Sequence, residues 1–146
     1  MPVFARRALC LWLAAAPWVG AVRAAEPQVP EVDARAIRQL IEAQLAAFRA
    51  DNAEQAFAYA SPSIRDQFGN AATFLTMVRS GYPVVYRPAS VAFLLPQAGR
   101  GEVIQRVRLT DQAGAAWLAI YSLQRQPDKS WRINGCVVAP DTGRTA

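Results

Sequence analysis

The chain has 146 residues, of which 53% are hydrophobic and 18% charged, so it is a folding domain and not a disordered tail. It contains no histidine, which excludes Ser/His/Asp and Cys/His triads, histidine general bases and most catalytic zinc sites. The net charge of +5 overstates its basic character: Arg6, Arg7 and Arg23 lie at the N-terminus, and without them thirteen basic residues face eleven acidic ones, a balance of +2 that does not mark a nucleic-acid binder.

Residues 1–24 read as a secretory signal peptide. Arg6 and Arg7 precede fifteen uncharged, mostly apolar residues, Ala8 to Val22, a run too short to span a bilayer. Val22 and Ala24 occupy the small-residue positions of a cleavage site after Ala24. The expected location is therefore periplasmic or secreted, with no stable membrane span after cleavage. Cleavage would remove Cys10 and leave Cys136, in an apolar strand context, as a buried structural thiol with no internal disulfide.

Residues 25–32, with Pro27 and Pro30, read as a linker, followed by a domain over residues 33–139. Asp33 is the expected N-cap of a helix to about Ala50, with Ile37, Ile41, Leu45 and Phe48 forming one apolar stripe. Asp51 and Asn52 break and recap the chain, and a short helix from Ala53 to Ala60 buries Phe57. Ser61 and Pro62 are an N-cap and N1 pair that starts a helix stopped by Gly69. Asn70 caps the next helix, Ala71 to Ser80, with Phe74, Met77 and Val78 inward and Gly81 as its terminator.

The period then changes to two. Pro83 and Pro88 bracket a segment read as an edge strand or bulged entry. Val91, Phe93 and Leu95 alternate on a first strand face. After the Gly99–Gly101 turn, Val103, Gln105, Val107 and Leu109 alternate with Ile104, Arg106 and Arg108. Turns at Asp111–Gly114 and Pro127–Ser130 frame a strand with Trp117, Ala119, Tyr121 and Leu123 on one face, and the last strand runs from Trp131 to Val138, followed by a tail at residues 140–146. Helices first and about four antiparallel strands afterwards give an α+β fold, with helices covering one face of a strongly curved sheet and a cone-shaped cavity between them.

Several segments together, Ala60–Gly69, Phe74–Tyr82, Tyr86-Arg87-Pro88 and Trp131–Cys136, resemble a bacterial family known as domain of unknown function 4864, over about Asp33 to Val138. That family is similar to the nuclear transport factor 2-like (SnoaL-like) superfamily. The resemblance implies the helix-backed curved sheet and pocket already expected from the element order. It implies no catalytic residues, since the superfamily includes enzymes, ligand carriers and structural modules.

Three functions follow as expectations. A ligand-holding or interaction module would use Tyr86, Arg87, Trp117, Tyr121, Arg132 and Asn134, aromatic and oriented polar groups suited to a small amphipathic or anionic ligand. An isomerase or lyase would need a carboxylate base in an apolar pocket, but Asp51, Glu54, Asp66, Glu102, Asp111 and Asp128 each have a turn, cap or strand-end role. A homodimer through the sheet would draw on Val103, Val107, Leu109 and Trp131 as an apolar face. No metal ligand set and no cofactor are expected, and Arg106 and Arg108 read as a solvated strand face.

Overall fold

The computed structural model describes Gly20 and residues 28–143. The expected signal peptide therefore lies outside the described residues, apart from Gly20. Among the described residues, five helices precede five strands: α1 Glu31–Arg49, α2 Ala53–Ala58, α3 Pro62–Phe68, α4 Ala71–Gly81, α5 Pro83–Tyr86, then β1 Ser90–Phe93, β2 Gln97–Ala98, β3 Glu102–Thr110, β4 Ala116–Arg125 and β5 Trp131–Pro140. The fold class is α+β, a helix-backed antiparallel sheet. The sheet order is β1-β3-β4-β5, with β2 also pairing β3. No helix among the described residues is long and apolar enough to cross a membrane.

The α1 stripe is as the periodicity requires: Ile37, Ile41, Leu45 and Phe48 are all buried against the sheet. The helix begins earlier than expected, at Glu31, with Pro30 in the cap position and no side-chain cap. Asp33 therefore lies in the first turn, where its carboxylate meets Arg125 at 3.7 Å and accepts from the Trp131 indole at 3.4 Å, tying α1 to the β4–β5 hairpin. Residues 31 and 32, read as linker, belong to this helix.

The short helices are set by their caps. Asn52 accepts from the Gln55 amide, Ser61 from the Ile64 amide and Asn70 from the Thr73 amide. Gly69 ends α3 at φ +80, a left-handed conformation that favours glycine. The Pro83–Pro88 segment corrects the reading of an edge strand: Pro83 opens a one-turn helix, because its fixed φ suits N1 and its missing N–H is not needed there.

The sheet's inner face carries Val103, Gln105, Val107 and Leu109 of β3, all buried, opposite Leu123, Tyr121, Ala119 and Trp117 of β4. This overturns the expected apolar dimer face: Val103, Val107 and Leu109 form core beneath the helices, and Trp131 is partly buried beside Asp33. Burial against α5 and the rest of the helical layer selects this parity for the core, leaving Ile104, Arg106 and Arg108 on the other face.

The first strand also ends early. Leu95 is 83% exposed rather than sharing a face with Val91 and Phe93. Pro96 has no N–H to offer the ladder, and the Gln105 amide instead donates to the Leu94 carbonyl at 2.7 Å. At the opposite edge, a register shift between Ser122 and Leu123 inserts Asn134 as an extra residue in β5. The expected tail starts late as well, since β5 runs through Pro140 and the Arg108 Nε donates to Asp141 at 2.6 Å.

Candidate functional site

A cavity of about 230 Å³ lies between α3, α4 and the inner face of β4 and β5. Its wall combines Phe48 of α1, Ile64 and Phe68 of α3, Phe74, Met77 and Val78 of α4, and Tyr121, Ile133 and Cys136 of the sheet, with Gln67 and Tyr82 also lining it. Three aromatic contacts centre on Phe74, whose ring lies 5.9 Å from Phe48, 5.5 Å from Phe57 and 5.5 Å from Phe68, giving one side a tilted aromatic wall.

Among the described residues, the lining contains no Asp, Glu, Lys or Arg. Its polar side chains are those of Gln44, Gln67, Tyr82, Tyr121 and Cys136. Gln44 is buried, and its amide donates to the Ala56 carbonyl at 3.1 Å. Tyr121 is 1% exposed, and its hydroxyl, shut off from the cavity space, meets no oxygen or nitrogen partner among the described residues, only the weakly hydrogen-bonding thiol of Cys136. Burial pushes its pKa well above the usual phenol range, with Cys136 a further cause. Cys136 pairs with Tyr121 across the β4–β5 ladder, and burial pushes its thiol up to about 12. Both groups are protonated at neutral pH, so the cavity is uncharged.

The site residues expected from the sequence do not share one cavity. Only Tyr121 lines it. Asn134, at the bulge, is a structural strap: its Oδ1 accepts from the fully buried Ser61 hydroxyl at 2.7 Å and its Nδ2 donates to Glu102 at 3.1 Å. Arg132 pairs with Gln124 on the face away from the helices and donates to the Trp131 carbonyl at 2.7 Å. Both therefore lie away from the cavity: Arg132 pairs with Gln124, which pairs in turn with Glu102, the carboxylate that Asn134 holds.

Tyr86 and Arg87 fall in an exposed cluster around Asp51. The Tyr86 hydroxyl donates to Asp51, Arg79 and Arg87 each approach its carboxylate at 3.2 Å, and both guanidiniums lie over the Tyr86 ring. These contacts, the Tyr86 hydrogen bond first, hold the Asp51 carboxyl below its ordinary value. Arg87 and Trp117 do come together, in a separate cleft of about 400 Å³ that also includes Pro83, Gln112 and Val138. Its polar groups are largely committed: the Trp117 indole donates to Asp111 at 2.9 Å and Gln112 to the Arg87 carbonyl at 3.1 Å.

Two of the carboxylates weighed as bases serve the backbone of their turns, and Glu102 accepts from the Ser122 and Asn134 side chains. Asp111 accepts from the Ala113 and Ala115 amides at 3.0 and 2.9 Å, and Asp128 from the Ser130 amide at 2.9 Å. Sequence reasoning did not place Ile64, Gln67, Phe68, Tyr82 and Cys136 in the site. The apolar spacing of α3 and α4 identifies buried faces, but it carries no signal that those faces stand apart from the sheet.

Residues 30–146 match the family described as Domain of unknown function (DUF4864), and the chain belongs to it. No match is found among curated proteins. The fold is similar to the crystal structure of an NTF-2 like protein of unknown function from Burkholderia xenovorans LB400, with 15% identity over 77% of this chain and 94% of that one, and a TM-score of 0.41.

Proposed function

We propose that this protein is an exported, non-catalytic module that holds a small ligand in the cavity between α3, α4 and the sheet. One observation carries the reading: a cavity of about 230 Å³ stands open between the helices and the sheet, with a mostly apolar lining that includes no charged side chain among the described residues. The chemistry of the lining favours holding over transforming. The Tyr121 hydroxyl and the Cys136 thiol, both raised by burial, are poor bases at neutral pH.

The test is a thermal-shift screen of small aromatic and aliphatic compounds on the wild-type protein and on Ile64→Phe, which adds volume into the cavity. Stabilisation that grows with compound concentration and is lost in a folded Ile64→Phe supports the reading. Equal shifts in both proteins would remove the cavity as their cause. Export is tested separately, by fractionation and the mass of the purified chain. A periplasmic or secreted product beginning at Ala25 is expected, and a full-length cytosolic product would contradict it.

A second reading, a homodimer through the outer sheet face, is favoured by Val137. It is 64% exposed and pairs with Ile120, which in turn pairs with Arg106, whose buried Nε has no partner among the described residues. Light scattering of wild type and Val137→Lys tests it: a dimer that the substitution dissociates supports it, and a wild-type monomer at high concentration refutes it.

A further inference from the structure

We propose that the cavity takes a neutral amphiphile tail first, with its hydrogen-bonding head held at the mouth by Gln67 and Tyr82. The inference rests on the reading of the cavity as a ligand site and names the class and the orientation of its occupant.

Depth sets the orientation. Phe48, Phe74, Val78 and Ile133 are buried and form the inner end. The Tyr121 hydroxyl lies against the Cys136 thiol, shut off from the space. The Gln44 amide donates to the Ala56 carbonyl at 3.1 Å, which fixes the side chain and leaves the inner end at most one acceptor, its Oε1. Four apolar side chains against one acceptor make this end a place for hydrocarbon.

The free polar groups lie further out. Gln67, in the last turn of α3, is exposed, and Tyr82, directly after α4, is half-buried. Both line the cavity, and neither side chain is committed to another group among the described residues. Tyr82 stands on the ridge between this cavity and the Trp117 cleft. A polar end seated between Gln67 and Tyr82 keeps contact with water while its tail is covered.

The chemistry of the rim selects the head. The Gln67 amide and the Tyr82 hydroxyl are neutral, and each both donates and accepts. An alcohol or a primary amide does the same and matches them. A carboxylate only accepts, and the lining among the described residues holds no cation to replace its lost hydration.

Volume sets the length. A dry cavity of about 150 Å³ accommodates benzene, with its six carbons. In proportion, about 230 Å³ holds about nine non-hydrogen atoms, an eight-carbon tail with its head oxygen.

The experiment is an NMR titration of the intact protein with 1-butanol, 1-hexanol, 1-octanol, sodium octanoate and toluene. Affinity is expected to rise about 4-fold for each CH₂ added from butanol to octanol, the worth of burying it. Octanoate is expected to bind roughly 10-fold more weakly than octanol. In Gln67→Leu and in Tyr82→Phe, octanol should weaken roughly 3- to 10-fold, the worth of one net hydrogen bond, while toluene, which has no head, is unchanged. Intermolecular nuclear Overhauser effects should place the octanol methyl beside Val78 and Ile133 and its carbinol CH₂ beside Gln67 and Tyr82.

The reverse orientation, with the hydroxyl directed inward to Gln44, would overturn the inference and leave the ligand site standing. So would octanol binding that either substitution leaves unchanged, or octanoate binding more tightly than octanol. Failure of toluene and of every alcohol to bind would remove the ligand-site reading along with the inference.

Discussion

Tyr121 and Cys136 are cross-strand partners on β4 and β5, and both side chains line the cavity beneath α3 and α4. The pairing puts a phenol and a thiol together beneath the helices, each with its proton held more firmly than in water.

Removing the isolated hydroxyl should not weaken the empty protein. Tyr121→Phe keeps the ring and deletes a buried group without a partner, so stability in urea is expected to stay level or rise by up to about 1–2 kcal/mol. A loss of more than about 1 kcal/mol would show that the hydroxyl has a stabilising partner.

The bulge residue should behave in the opposite way. Asn134 links the buried Ser61 hydroxyl of the α3 cap to Glu102 of β3. Asn134→Ala is expected to cost about 1–3 kcal/mol, because the carboxylate and the hydroxyl each lose a partner. A double-mutant cycle with Ser61→Ala should return a coupling of about 0.5–3 kcal/mol, measured by denaturant unfolding. Strict additivity would mean that the Ser61–Asn134 contact contributes nothing to stability.

Stability should vary little between about pH 5 and pH 8 and fall on both sides. Asp51, Asp111, Asp128 and Asp141 all have folded-state values below the ordinary 3.8, lowered by hydrogen bonds and neighbouring arginines. Their contribution is present above that value and is lost as the pH falls below it through the folded values. Cys136 acts with the other sign. Its thiol is raised from 9.0 to about 12, so its contribution is complete below pH 9 and disappears as the pH rises from there towards 12. The chain has no histidine to titrate between these limits. Melting temperatures across pH 3–11 check both limbs, and Cys136→Ala should reduce only the alkaline one.

Much of the architecture was legible because it depends on local chemistry. The α1 stripe, the Ser61-Pro62 start, the Gly69 stop and the alternation of β3 all fall where their residue types require. The Pro83 segment was less legible, since Pro suits both an edge strand and a helix N1, and packing between α4 and α1 decides it. The site was mostly illegible: the spacing of α3 and α4 gives no sign of a cavity, and the facing of Cys136 turns on one residue. Counting back from the Pro127–Ser130 turn without a bulge puts Gly135 opposite Tyr121 and turns Cys136 outward. The extra residue at Asn134 shifts the register so that Cys136 faces the cavity instead. No alternation pattern marks that insertion, because Asn134 is held by Ser61 and Glu102, both distant in sequence.

The most direct test of the central claim, that this cavity takes up a small ligand, is a methyl NMR titration of the wild-type protein with acetophenone. The account predicts saturable shifts at Ile64, Met77, Val78 and Ile133, which line the cavity, and none at Ile104, Ile120 or Val137 on the opposite sheet face. Resonances that stay fixed at the first set, or move only at the second, would contradict it.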